Sequence, residues 1–425
     1  MPKKVEIMAR LRSILVAAFL TLGITAGAQT PLDFKAPQVH TLRTHVEGDE
    51  TSYPIIGLES DDHIVVEFDC LADNPADLEY SLQHCFNSGT PTDLLPAEYI
   101  DGFNVNPVTD YWPSVSTTVS YYNYRITLPN DNVRMLLSGR YVLNVFEAGH
   151  PDKVVARTTF LVYEQLVTID AEIRKPERND RTEQEVRLSF ETDGLPLNNV
   201  LEDLKVDILQ NGCPYSSLTG LKPKYIAGDK LIYAQAGDLL MPGGNEFRRL
   251  DLRYLRQAPI NYNSVEFIGS KFHVTTPTDE IRAFKPYFTE DDQNSQFVVY
   301  ANQVNKSYDD FHRSADYAFA HPTLTTEPVL DGDVFVCGAF NNWQLDSTNM
   351  MHYNFNAKRY EADLMLKQGV YDYIYVCRSY YNGAVDTERF EGSHAETENS
   401  YIFLVFYYSA AAEYEQLVGV LKIDN

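Results

Sequence analysis

The chain has 425 residues, 60 acidic against 35 basic, for a formal net charge of −25 at pH 7. That excess repels nucleic acid and anionic lipid headgroups and favours basic partners, or simply keeps an exported protein soluble. The length exceeds one ordinary core, so two or three domains are expected, and 29 Tyr and 22 Phe against 2 Trp favour strands over helices.

Residues Met1 to Ala28 read as a secretory signal. Lys3, Lys4, Arg10 and Arg12 supply positive charge, Ile14 to Ile24 a short apolar run, and Ala26-Gly27-Ala28 a small-residue cleavage site. The mature chain would begin near Gln29 with 31 basic and 59 acidic side chains, a net charge of −28. The apolar run is too short to cross a hydrocarbon core of roughly 30 Å, and no later run is long enough, so no direct membrane insertion is expected. No cysteine follows the cleavage site to carry a lipid. The expected location is beyond the inner membrane.

Residues 29–165 then read as an N-terminal β-sandwich. Strand-like runs at Ile64 to Phe68, Val119 to Leu128, Tyr141 to Val145 and Thr158 to Val162 alternate with turn clusters, and Asn130 to Leu137 is expected to form a helical turn. The polar stretch Arg174 to Thr182 is a linker or exposed loop near the start of a middle β-rich domain, 166–280. That domain holds runs at Val186 to Phe190, Leu204 to Leu209 and Tyr225 to Tyr233, the last folded about Ala227-Gly228-Asp229. Pro277 to Pro286 marks the boundary to a C-terminal immunoglobulin-like sandwich, 281–425. Its core candidates are Val334 to Phe340, Tyr360 to Leu366, Val370 to Val376 and Tyr401 to Tyr407, the last so continuously apolar that it should be covered on both faces. The expected fold class is all-β, with two to three immunoglobulin-like β-sandwich domains in series.

Signals for chemistry are sparse. Phosphate loops, dinucleotide fingerprints, G-x-S-x-G elbows and H-E-x-x-H helices are absent from the sequence. His273, His312, His321 and His394 lack metal-ligand spacing, and Glu290-Asp291-Asp292-Gln293-Asn294 fails the EF-hand pattern and reads better as a hairpin turn. No catalytic, metal or cofactor-binding residue is therefore assigned. The five cysteines are odd in number; Cys70 with Cys85 and Cys337 with Cys377 are pairings an oxidising compartment would allow, and small buried hydrophobes are the other reading. The Pro242 to Arg248 loop places Asn245, Glu246 and Arg248 around Phe247 after two glycines. It either presents a recognition surface or ties a domain junction. Asn245, Glu246, Phe247, Arg248, Asn341, Asn342 and Trp343 are the candidate partner-binding residues.

Gly338-Ala339-Phe340-Asn341-Asn342-Trp343, followed by Leu366 to Tyr375, resembles the glycogen-binding immunoglobulin-like modules. Trp343 matches that family's first tryptophan. The second is missing, and only Tyr380 or Tyr381 stands where a sugar platform would need one. A second resemblance covers almost the whole mature chain. Glu98 to Phe103, Leu136 to Leu143, Gln210-Asn211-Gly212, Gly243 to Arg248, Ala315-Asp316-Tyr317, Gly338 to Asn341, Leu366 to Gly369, Glu391-Gly392-Ser393 and Glu396 to Asn399 run in the same order as in the plug proteins of the type IX secretion system. The match departs at Arg140, where that family usually has asparagine, and near Cys85, where a tryptophan is absent. This resemblance implies a non-enzymatic periplasmic protein, without cofactor, that closes the periplasmic mouth of a very large outer-membrane β-barrel translocon. A periplasmic carbohydrate-binding sandwich is the alternative, and a periplasmic hydrolase a third.

Overall fold

The alternating runs pair into antiparallel sheets in the computed structural model, which describes residues 33–177, 181–192, 194–256, 262–301 and 308–425. The signal expected at 1–28 lies outside the described residues, as do 178–180 of the polar stretch after Arg174. The all-β class is as the sequence implies.

The first sandwich sets Phe34–Lys35, His150–Tyr163, Gly139–Glu147, Leu78–Cys85 and Val105–Pro107 in one sheet. The other holds Val39–Val46, Ile64–Cys70, Tyr122–Leu128 and Asp110–Pro113. Side chains alternate across each strand, so Phe68 and Tyr124 stack at 5.2 Å in the core, and Tyr141 and Phe160 at 5.3 Å. Asn130 to Leu137 is not the expected helical turn. Val133–Met135 pairs with Ile100–Gly102, burying Val133 and Met135 while Arg134 faces solvent, a period-two pattern that overrides the local helical reading.

The other two sandwiches are not consecutive along the chain. In the second, one sheet holds Thr168–Arg174, Glu183–Glu191, Lys230–Ala234 and Tyr225–Ala227, and the other is Cys213–Leu221, Leu204–Gln210, Ser400–Ser409 and Tyr414–Asp424. The last hairpin of the chain thus returns to complete the middle unit, with Leu204 paired to Tyr407 and Gln210 to Tyr401. The third sandwich centres on Gly369–Ser379, which pairs with Arg248–Asp251, Phe297–Val299 and Gly332–Cys337. Opposite it lie Ser264–Ile268, Lys271–Glu280, Tyr317–Thr325, Arg359–Glu361 and Leu364–Lys367. Segments 166–280 and 281–425, separated in the sequence reading, therefore share sheets in both directions. Pro277 misleads because it sits inside the Lys271–Glu280 strand, at an irregularity between Thr275 and Thr278, where its missing N–H can be tolerated.

All five cysteines are free and buried, so neither allowed pairing forms. Cys70 and Cys85 lie on opposite sheets of the first sandwich, and burial pushes their thiols up to about 12 and about 11. They serve as small hydrophobes.

Candidate functional site

The three sandwiches meet along seams, and those seams hold most of the sequence blocks singled out above. Between the first and second the seam is apolar. Tyr401, Phe403 and Val405 enter the second core, while Ile402, Leu404 and Phe406 from the opposite face of the same strand pack with Leu161 and Leu417. Covering on both faces explains the unbroken apolar run. Each such side chain contributes about 1.5–3 kcal/mol when fully buried. At the rim Asn87 bridges the units, donating to Asp207 at 2.6 Å and accepting from Arg140 at 3.0 Å. Arg140, the departure from the family pattern, is therefore a seam residue.

Between the second and third sandwiches Cys213, Phe247, Phe335, Cys337, Trp343, Ile374 and Val376 form a separate apolar cluster. Trp343 is buried, packs edge-on to Phe247 at 6.2 Å between centroids, and its carbonyl accepts the Tyr215 hydroxyl at 2.6 Å. It is neither a sugar platform nor a contact offered to a partner. Glu246, Phe247 and Arg248 are buried as well. Arg248 donates to Glu391 at 3.0 Å and to Asp279 at 2.9 Å; Asn245 donates to the Glu391 carbonyl at 2.8 Å; the Glu246 carboxylate accepts from Tyr287. Asn341 and Asn342 are half-buried, Asn341 donating to the Gln344 carbonyl at 3.1 Å. Of the two readings left open for the Gly243 to Arg248 loop, the geometry is that of a junction tie. The polar signature was real, but these groups satisfy one another inside the chain.

The same junction gathers the Glu396 to Asn399 block. Asn399 donates to the Gly243 carbonyl at 2.8 Å, Thr397 to the Gly244 carbonyl at 2.9 Å, and Asn211 to Asn399 at 2.6 Å. A Cβ on Gly243 would stand 1.9 Å from the His394 carbonyl oxygen. Gly243→Ala is expected to lower stability by about 1–3 kcal/mol, the usual cost of overpacking, as read from chemical unfolding; an unchanged midpoint would refute the close approach.

Between the first and third sandwiches the seam is polar and charged. Lys367, 1 % exposed in its side chain, donates to Asp69 and to the His312 carbonyl, each at 2.6 Å, and lies 4.2 Å from the Tyr121 ring centroid. Tyr317 donates to the same Asp69 oxygen at 2.6 Å, and Asn123 to the other at 2.9 Å. Arg43 joins Glu67 at 2.8 Å and also Glu50. Burial alone would raise the Glu67 carboxyl, but His312 and Arg43 hold it well below the usual carboxylate range. Asp316 accepts the backbone N–H and hydroxyl of Thr118 from the first sandwich, and its own N–H is held by Gln368. Neither sandwich can shift without stranding a charge.

Glu246, Phe247, Arg248 and Trp343 are buried, and large exposed apolar side chains lie elsewhere. The end of the third sandwich exposes Leu330 (86 %), Phe355 (77 %), Tyr380 (62 %) and Tyr381 (87 %). The residues are tied to one region: Tyr380 N–H donates to the Asp331 carbonyl at 2.9 Å, Tyr360 hydroxyl accepts from Val329 at 2.8 Å, and Tyr353 packs against both Tyr360 and Phe355 at 5.0 Å. Nothing in the sequence patterning separated Leu330 and Phe355 from core residues; only Tyr380 and Tyr381 stood out. Among the described residues no group of three or more His, Cys, Asp or Glu side chains is placed to hold a metal ion, and no helix is long and apolar enough to cross a membrane.

The comparisons with known proteins agree with this architecture. A family model for the type 9 secretion system plug protein 1st domain matches residues 39–164, the span of the first sandwich. The crystal structure of a hypothetical protein from Parabacteroides merdae ATCC 43184 is similar over 92 % of this chain and 98 % of its own, with 31 % identity and a TM-score of 0.87. A comparison with curated proteins finds no match. The first sandwich therefore belongs to the type 9 secretion system plug protein 1st domain family, and the chain shares its fold, over 92 % of its length, with the Parabacteroides merdae protein.

Proposed function

We propose that this chain is a non-enzymatic periplasmic plug, which binds the periplasmic opening of the outer-membrane β-barrel translocon of the type IX system and closes it. The observation that carries the reading is the interlocking of three sandwiches by buried seams. A body that must block a wide pore needs mechanical unity, and here the last strands of the chain complete its middle unit. A flexible string of domains would leak. Its location would be the periplasm, held at the outer membrane through the partner. A plug must also be released, so a limited aromatic contact with a polar surround suits it better than an obligate apolar face.

Leu330, Phe355, Tyr380 and Tyr381 supply such a contact, with Asp331 and Asp333 beside them. The test is recovery from detergent-solubilised outer membranes by the tagged mature chain, with mass spectrometry of the captured protein. One giant barrel protein, competed by excess untagged chain, is the expected result. The Leu330→Ala/Tyr381→Ala variant, with its fold verified by circular dichroism, should bind at least tenfold more weakly, as aromatic anchors dominate interfaces. Undiminished binding would move the contact elsewhere, and capture of polysaccharide alone would replace the plug reading with the carbohydrate-binding one.

A further inference from the structure

One turn at the seam between the second and third sandwiches holds more oxygen than its neighbours can satisfy. Asp372, on the Gly369–Ser379 strand, is fully buried. Its Oδ2 accepts the N–H groups of Gln293 at 2.5 Å and Ser295 at 3.2 Å, so the carboxylate lies within the turn Asp292–Ser295. Among the described residues its Oδ1 has no hydrogen-bond partner, and neither have the buried Gln293 Oε1 and Asn294 Oδ1 of the same turn. Asp292 brings a second carboxylate, which accepts from Asn294 N–H at 2.8 Å and Phe247 N–H at 2.5 Å. Arg249 is the cross-strand neighbour of Asp372, but it is exposed and its guanidinium donates to the Asp291 carbonyl at 3.5 Å. Ser295 anchors the turn to the second sandwich through the Asn211 carbonyl at 2.6 Å.

A buried oxygen without a donor is costly, and more so when charged. Amide and carboxylate oxygens crowded in one turn are the ligands that hard divalent cations prefer.

We propose that Asp372, Asp292, Gln293 and Asn294 form a binding site for one hard divalent cation of the calcium class, which pins the 292–295 turn across the seam. The site differs from an EF-hand loop, since one carboxylate comes from a distant strand. It does not depend on the plug reading, because cation binding is measured on the isolated protein.

The experiment takes the mature chain stripped with EDTA and dialysed, then titrated with calcium chloride in a calorimeter and melted with and without the ion. The expected result is one bound ion per chain and a melting temperature raised by about 3 °C or more at saturation. Asp372→Asn should abolish that response. Should this variant not fold, Asn294→Gly removes the amide oxygen at a position whose φ of +48° glycine accepts, and it should weaken calcium binding at least fivefold. Absence of heat and of any melting shift in the native protein at millimolar calcium would overturn the proposal. So would a full calcium response retained in both variants.

Discussion

Replacing Lys367 with methionine is expected to cost about 3–5 kcal/mol of stability, the range found when one member of a buried ion pair is removed. The cost does not measure the attraction of the pair. Burial draws the Lys367 ammonium below its ordinary value even though Asp69 opposes this, so holding the charge is itself expensive. Removal of the lysine instead leaves the Asp69 carboxylate, 0 % exposed, with only the Tyr317 hydroxyl and the Asn123 amide donating to it. It also takes one of its donors from the His312 carbonyl, which keeps the Tyr121 hydroxyl at 3.0 Å, and empties the space beside the Tyr121 ring. The double variant Lys367→Met/Asp69→Asn should therefore recover at least half of the loss, because the stranded charge is gone. Urea unfolding of the three proteins at pH 7 decides the matter. A single-variant loss below about 1 kcal/mol would mean that water reaches Asp69 and that the seam is not closed.

The division of labour among the seams follows from the same energetics. Apolar clusters such as Leu161 with Leu404 and Phe406 supply strength without demanding one geometry. Charged contacts such as Asp69 with Lys367, or Asp316 with Thr118, return little net energy, but they penalise every other arrangement. A chain that folds three sandwiches in interleaved order needs both, since its last hairpin must find a sheet begun some two hundred residues earlier, at Leu204–Gln210.

What was legible in the sequence follows from what each signal encodes. Alternation and continuous apolar runs report how many faces of a strand are covered, so the all-β class and the two-sided burial of Tyr401 to Tyr407 could be read directly. The identity of the covering layer is not local information. The same run therefore fell into the C-terminal unit, although it pairs with Leu204–Gln210. The Gly243 to Arg248 block was likewise visible as unusual, because glycines with mixed polar groups imply a constrained path. Whether Arg248 meets a partner protein or Glu391 of its own chain depends on an element 143 residues away. Trp343 shows the limit of a borrowed motif. In sugar-binding modules that tryptophan would offer an exposed ring, and here the ring fills a gap between two sandwiches. The exposed patch of Leu330 and Phe355 left no trace in the sequence, since a single apolar residue in a loop looks the same whether it turns in or out.

Arg248→Met should produce a loss of similar size, about 3–5 kcal/mol at neutral pH, and one that depends on pH. Arg248 donates to both oxygens of Glu391, at 3.0 and 3.1 Å, to Asp279, and to the Glu280 carbonyl at 2.8 Å, with its guanidinium 5.1 Å from the Tyr375 ring centroid. Burial by itself would raise the Glu391 carboxyl, yet Arg248 and Arg282 together hold it below its ordinary 4.5. A carboxyl depressed in the folded state contributes stability that is present above its unfolded value and lost as pH falls through its folded value. In the variant Arg282 remains, at 2.9 Å, but the stronger of the two charge partners is gone, so Glu391 takes up a proton at higher pH than in the native protein. At pH 7 the variant carries a poorly compensated buried charge; at pH 4 it carries a neutral acid, which is cheaper to bury. The gap between native and variant unfolding free energies should accordingly be widest at pH 7 and narrow by more than 1 kcal/mol at pH 4. Guanidinium-free urea titrations at the two pH values measure it without screening the charges. A gap that stays constant would assign the role of Arg248 to packing on Tyr375 rather than to Glu391, and the seam would then be held by shape instead of charge.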